Sequence, residues 1–350
     1  MGGQCARSRS DGIFPLIDKT PVYMISNVDL ISADNLVEYV KSVPFDVSHS
    51  SLYNAAELYE GYDPDKPETF CDCFDSIIYR HYLATGKQTS DIRESMARML
   101  HDHAIYVALG EFFRVHGYLH CVGVMGGHAL LRTDDMYRHV AFLAKRLTEH
   151  GFFMLSGGGP GAMEATHLGA WMAGRTHGEL DDALRILAVA PLFSDPGWLP
   201  TAFEVMNRYP QEKYQSLGLP TWLYGHEPST PFATHIAKFF ENSIRENYIL
   251  TLPFGGVIYT PGSAGTIQEV FQDAVQNHYL SFGFSSPMIF LGSKFWTEEV
   301  PLYQLIVKMM EKGKYKNLNL TLTDDFDEVM QRLLDFQELT RAHPEDFCLK

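Results

Sequence analysis

From Leu119 onward the chain repeats one unit: a short apolar run, a cluster of small residues, then an amphipathic stretch. "LHCVGVMG", "FFMLSGGG", "LRILAVAP", "GGVIYTPG", "SPMIFLG" and "NLTLTDD" read as buried strands, and "PTWLYGHE" as a further one. Between them, "TDDMYRHVAFLAKRLTEHG", "GAMEATHLGAWMAG", "STPFATHIAKFFENSIRENYIL", "AGTIQEVFQDAVQNHY", "EVPLYQLIVKMMEKG" and "FDEVMQRLLDFQEL" read as helices. Strand alternating with helix at this spacing requires parallel strands joined by crossovers. The expected fold is α/β: a Rossmann-like, doubly wound, mostly parallel sheet. Residues 1–116 are mixed in texture and read as an N-terminal, mainly helical extension, with the sheet domain over 117–350. Within the extension, "SADNLVEYVKSV" predicts a short helix capped by Ser32 or Asp34, "PDKPETFCDC" a turn region, and "TSDIRESMARMLHDHAIYVALGEFFRVH" one long helix.

Ligands of such sheets sit at the carboxyl ends of the strands. Three clusters of small residues fall there: Gly126-Gly127, the run Gly157, Gly158, Gly159, Pro160 and Gly161, and the run Gly262, Ser263, Ala264 and Gly265. In "LSGGGPGAMEA" a strand passes into a helix whose free amides and positive dipole end favour a phosphate. The alternative is a tight corner with no ligand. The dinucleotide pattern fits poorly. Its acidic residue is due at the end of the next strand, and Asp195 lies several residues beyond "AVAP".

"YTPGSAGTIQE" places Thr266 and Glu269 directly after the third cluster. Thr266 offers a hydroxyl and an amide to a phosphate, and Glu269 a carboxylate. A capping box between the same two residues is the competing reading. Asp273 follows one turn later on the same face. Arg245, in "FFENSIRENY", either pairs with Glu241 or Glu246 or presents its fork of donors to a ligand.

Other chemistry finds little support. His101 and His103 lie two apart on a helix and do not face one another, so no metal site is expected. His278 suits a helix C-terminus. "PGSAG" is not the G-x-S-x-G elbow of serine hydrolases. Cys71-Asp-Cys73 has no second pair at zinc spacing. No lysine has a pyridoxal-phosphate context, and no cofactor is expected.

The chain has 350 residues, 45% of them hydrophobic, and a formal charge of −15. That charge argues against nucleic acid or an anionic membrane as partner. Five irregularly spaced cysteines fit a reduced, cytoplasmic protein. No apolar run reaches the length of a membrane span. "MGGQCARSRS" lacks the apolar core of a secretory signal, and although Gly2 is present the myristoylation pattern fails.

"MGG" after a strand, "SGGGPGAMEA", an arginine helix and "PGSAGTIQE" together resemble the LOG ("lonely guy") phosphoribohydrolases, over about Cys121 to Leu334. The nearest likeness is to the longer nucleotide 5′-monophosphate nucleosidases, whose "GPGAM" loop resembles Gly159 to Met163 here. The resemblance implies a homodimer that cleaves the N-glycosidic bond of a nucleoside monophosphate. It makes Arg245 and Glu269 the catalytic pair and the glycine corners the phosphate site; for the carboxylate beside the sugar, Glu269 is the first choice and Asp273 the second. Ser263 departs from the second glycine of that family's PGGxGTxxE pattern. A non-catalytic nucleotide-binding sensor on the same fold is the alternative.

Overall fold

The computed structural model describes residues 32–118 and 120–347. The readings at Gly2, Cys5, Cys348 and Leu119 lie outside them. Seven strands form one sheet: β1 (Cys121–Met125), β2 (Phe153–Ser156), β3 (Ser216–Gly218), β4 (His235–Ile236), β5 (Gly256–Tyr259), β6 (Pro287–Leu291) and β7 (Asn319–Thr323). Their order is β4-β3-β2-β1-β5-β6-β7, and every pair is parallel. The doubly wound α/β expectation therefore holds.

Both faces of the sheet are covered, which is why its central strands read as continuous apolar runs. Alternate residues serve opposite cores. Cys121 and Met125 of β1, with Val257 and Tyr259 of β5, join one cluster. Val122 and Val124, with Ile258, join the other. Helices α5 (Asp135–Glu149), α6 (Ala162–Trp171) and α12 (Phe326–Ala342) contribute to the second cluster. Helices α4 (Ile92–His116), α9 (Asn242–Thr251), α10 (Ala264–Tyr279) and α11 (Leu302–Glu311) contribute to the first.

The segment before β1 carries α1 (Ala33–Val40), α2 (Ala55–Leu58), α3 (Phe74–Ala84) and α4. Ser32 caps α1 by accepting from the Asn35 amide, as its sequence predicts. This segment is bonded to the sheet domain by buried charge. Asp102 of α4 accepts the Phe240 and Glu241 amides at 2.9 and 2.8 Å. Asp75 of α3 holds Lys238 Nζ at 2.7 Å and Trp222 Nε1 at 2.9 Å.

Three predicted elements differ. "LRILAVAP" is not a strand but the end of α7 (His177–Leu187) and the turn after it. Thr176 and Glu179 form a capping box, and Leu180, Ala183, Leu184 and Leu187 recur at helical spacing toward the core. The strand that follows α8 (Trp198–Arg208) is the three-residue β3, too short to show a period. "PTWLYGHE" holds a single 3-10 turn at Trp222–Tyr224. "STPFATHIAKFFENSIRENYIL" is split: its first half supplies β4, and the helix starts only at Asn242.

Candidate functional site

The strand order reverses between β1 and β5, which opens a crevice at their carboxyl ends. The three glycine corners meet beside it. The Thr260 amide donates to Met125 O at 2.8 Å, and the Gly127 amide to Pro261 O at 3.2 Å. The Ala162 amide donates to Gly127 O at 3.2 Å. Gly127 thus touches both of the other corners, although Gly159 and Gly265 lie far apart in the chain.

Each corner needs its small residues for a definite reason. A Cβ on Gly126 would overlap Thr260 Oγ1, and one on Gly262 would overlap Thr266 Oγ1. Gly161 has φ +71°, and a Cβ there would collide with the Gly127 carbonyl. Strain of this kind costs about 1–3 kcal/mol. Gly161→Ala is expected to lower the unfolding free energy, read from urea denaturation, by an amount in that range. Unchanged melting would mean that the corner relaxes freely. Around Gly265 a Cβ meets open space.

Not every glycine faces the crevice. Gly157 to Gly161 are buried. A Cβ on Gly157 would lie 2.6 Å from both Met163 Sδ and Arg245 Nη2, and one on Gly159 2.9 Å from Met163 Cε. Met163 therefore lies over the loop. Ser156 ties the loop down: its Oγ accepts the Gly158 amide at 3.1 Å and meets His167 Nε2 at 2.8 Å. His167 reaches Ser216 Oγ with its other nitrogen at 2.9 Å, and burial pushes its pKa down to about 3, so the ring stays neutral. The open polar backbone belongs instead to Ser263, Ala264 and Gly265, which are exposed, with Gly126 and Gly127 half-buried alongside.

Helix α10 starts at Ala264 with Ser263 as N-cap. Ser263 sits at φ −111°, so serine is unstrained where the resembled motif has glycine. The amides of Ala264, Gly265 and Thr266 precede the first helical bond, from Ile267 to Ser263 O at 3.1 Å. They are the donors that a helix N-terminus leaves over. Thr266 lies inside the helix, so no capping box joins it to Glu269. Glu269 stands in the second turn rather than the first.

Glu269 is 7% exposed and makes no hydrogen bond among the described residues. Burial, opposed by Arg245 and reinforced by Glu246, pushes its pKa up to about 8. At neutral pH this carboxyl is mainly protonated. Arg245 donates from Nε to Leu219 O at 2.8 Å and from Nη1 to Glu246 Oε1 at 2.6 Å. Its Nη2 has no acceptor among the described residues, and no ion pair within 4.0 Å joins it to Glu269. Asp273 is fully engaged. It accepts from Tyr259 Oη at 2.5 Å, Gln276 Nε2 at 2.8 Å and Asn277 Nδ2 at 3.0 Å. Burial pushes its pKa up to about 6.

Several groups at the crevice carry no sequence motif. Arg132, on the loop after β1, forms a buried bidentate pair with Glu164 of α6. Glu246 Oε2 is buried without a partner among the described residues. Glu227 lies 3.9 Å from His128 and borders Gly159. Only the long-range convergence of these residues marks them. His278, by contrast, is structural, accepting the Lys316 amide at 2.9 Å. His101 is buried between Tyr53 and Asp102, while His103 is exposed. No cluster of three metal-ligating side chains occurs among the described residues. No helix among them is long and apolar enough to cross a membrane.

A cavity of about 770 Å³ lies elsewhere, between α4 and the start of α9. Its charged lining is already engaged: Arg98 with Glu94, Thr85 and two carbonyls, Lys87 with Leu223 O, and Asp102 with two amides. Arg245 and Glu269 do not line it.

No protein-family model matches the chain, and no curated protein matches it. Similar solved structures include the molybdenum cofactor binding protein of Rippkaea orientalis: 15% identical, TM-score 0.38, covering 61% of this chain and 95% of that one. The Moco carrier protein of Chlamydomonas reinhardtii is 16% identical, with TM-score 0.38, covering 63% and 98%. A second structure of that protein is 17% identical, with TM-score 0.37, covering 61% and 97%. These proteins are named for binding or carrying a cofactor, and none for cleaving a nucleotide. The LOG-family assignment, the nucleosidase activity and the nucleoside monophosphate partner are corrected accordingly. The homodimer rested on the same resemblance and is withdrawn with it.

Proposed function

We propose that this chain is a non-catalytic binding protein for a small molecule bearing a phosphate or a similar anion, held at the crevice between β1 and β5. One observation carries the reading: three strand-end corners pack together at the switch point of the sheet, beside an arginine with an unused donor. The anion would take the free amides of Ser263, Ala264, Gly265 and Thr266 at the start of α10, with Gly126 and Gly127 at its side. Gly157, Gly158, Gly159, Gly161 and Met163 form a buried wall beside it, with Gly157 close against Arg245 Nη2.

The carboxyls suit binding. Hydrolysis of a glycosidic bond pairs an ionised carboxylate beside the sugar with a protonated general acid. Glu269 is mainly protonated at pH 7, and Asp273 spends its oxygens on three internal donors. A neutral Glu269 does not repel an anion and offers it a proton donor. Residues 1–116 are proposed as an extension to a binding domain over 117–350. A cytoplasmic location is inferred, supported by the free thiols Cys71, Cys73 and Cys121.

Calorimetric titration with inorganic phosphate and with phosphorylated small molecules tests the proposal, and the molybdenum cofactor named above belongs on the panel. Arg245→Ala is expected to weaken binding about tenfold or more, the loss of one charge-assisted hydrogen bond of about 1.5–3 kcal/mol. Equal affinity in the variant and the parent, or consumption of the ligand, would defeat it.

A further inference from the structure

The cavity of about 770 Å³ between α4 and the start of α9 stands apart from the crevice, and no glycine corner lines it. Helix α4 presents Met99, His103 and Tyr106 to it, about one turn apart, and α9 presents Ile244 and Tyr248. Tyr82 of α3 and Phe240 are the buried rings beneath. Tyr106 and Tyr248 stack between the two helices, with ring centroids 5.4 Å apart. Met99 is 67% exposed and Tyr106 44%. A helix normally turns such side chains inward, and apolar surface left open beside a cavity marks a binding site.

The lining selects against charge. Its two cations, Lys87 and Arg98, are balanced by its two carboxylates, Asp102 and Glu241. Each is also engaged within the protein. Arg98 donates to Glu94, to Thr85 and to the Gly86 and Lys87 carbonyls. Lys87 Nζ donates to Leu223 O at 2.9 Å. Asp102 accepts the Phe240 and Glu241 amides. Glu241 caps α9, accepting the Ser243 amide at 3.2 Å and its hydroxyl at 2.9 Å. A charged ligand would leave water for a place with no open counter-charge, which is costly. What the cavity offers instead is ring and aliphatic surface, with the uncharged polar side chains of Gln88, Thr89 and Ser95.

We propose that this cavity is an effector site: it binds an uncharged, mainly apolar small molecule with an aromatic ring, and acts through α9 on the arginine at the crevice. The volume lies within the range of about 300–1,000 Å³ usual for small-molecule sites, and the rings accept another ring by stacking and edge contacts. The path to the crevice is short. Asp102 holds the two amides that lead into α9. Ile244 walls the cavity, and the next residue on the helix, Arg245, reaches Leu219 O and the glycine loop. A molecule packed against Ile244 and Tyr248 favours one placement of α9, and with it one placement of the Arg245 fork. The site itself is independent of the anion reading, and only its effect on phosphate rests on it.

N-phenyl-1-naphthylamine, an uncharged probe that fluoresces in apolar surroundings, tests the site on the full chain. Met99→Asp, at an exposed position, is expected to melt like the parent and to weaken the probe about tenfold or more. Tyr106→Ala is expected to weaken it in the same direction. The sulfonated analogue 8-anilinonaphthalene-1-sulfonate is expected to bind the parent at least about tenfold more weakly. Hydrogen exchange reads the coupling without any anion: the probe is expected to slow exchange over Asn242–Thr251 in the parent but not in Met99→Asp. Calorimetry reads it with one: saturating probe is expected to change the affinity for inorganic phosphate about fivefold or more. The site is overturned if Met99→Asp binds the probe like the parent, or if the sulfonate binds equally well. It is also overturned if the probe is displaced as the chain self-associates, which would make the groove an interface between copies. The effector role is overturned if exchange over α9 does not change, or if phosphate binds equally with and without the probe. If phosphate does not bind at all while the probe still slows α9, the effector site stands and the anion reading falls.

Discussion

Arg132→Ala is expected to destabilise the chain by about 3–5 kcal/mol, the cost of leaving a buried charge without its partner. Arg132 is 3% exposed and Glu164 is fully buried. The guanidinium meets the carboxylate through Nε at 2.9 Å and Nη2 at 2.5 Å. Its other donors reach Ala190 O at 3.2 Å, Thr201 Oγ1 at 2.9 Å and Trp198 O at 3.0 Å. All five N–H groups are therefore used. Tyr137 Oη adds a donor to Glu164 at 2.8 Å. Lysine cannot reproduce this fork, so Arg132→Lys is expected to lose most of the same stability. Removing both charges with Arg132→Met and Glu164→Leu is expected to restore much of it. Urea denaturation of the three variants measures this, and an Arg132→Ala midpoint equal to the parent's would refute it. The effect reaches the binding site as well. Arg132 ties the loop that begins at Gly126 to α6 and to Trp198 at the start of α8.

What the sequence displayed and what it concealed follow from range. The strands at β1, β2, β5, β6 and β7 were legible because apolar runs bounded by glycine or proline repeat locally. Helix α10 was legible to the residue, since "PGS" stops a strand and "AGTIQEVFQDAV" starts a helical period. The sheet edge was not. β3 and β4 are three and two residues long, and they are held by pairing with β2 and by contacts such as the Tyr53–Ile236 bridge from the extension. No local pattern encodes that. At the site, the glycines were legible as corners, but not which of them face the crevice. Gly157 and Gly159 make room for Met163 and Arg245, a packing reason that looks the same in sequence as a phosphate reason. Glu269 was legible as a carboxylate near the third corner. Its protonation was not, because it depends on tertiary burial, opposed by the charge of Arg245 and reinforced by that of Glu246, more than twenty residues away.

Glu269→Gln is expected to leave stability unchanged below about pH 4 and to raise it, relative to the parent, on the order of 4–5 kcal/mol near pH 9. The sign follows from proton counting. Burial holds the folded pKa at about 8, whereas the unfolded value is near 4.5. Between these values the folded chain binds more protons than the unfolded one, so the parent loses stability as pH rises, by up to about 1.4 kcal/mol per unit. Below pH 4.5 the carboxyl is neutral in both states and its contribution is flat. Glutamine has no charge to bury, so the difference between the two proteins isolates this group from Asp273, whose own raised pKa acts near pH 6. Melting curves at pH 5.5, 7 and 8.5 read the divergence. Parallel curves, or a parent that gains on the variant as pH rises, would show that Glu269 is ionised at neutral pH. The same titration governs the anion. As Glu269 ionises above pH 8 it opposes Arg245 and repels a phosphate, so the parent's affinity for phosphate is expected to fall with pH while that of Glu269→Gln holds. An ionised, solvated Glu269 would predict equal slopes, and would return that side chain to the charge state that catalysis requires.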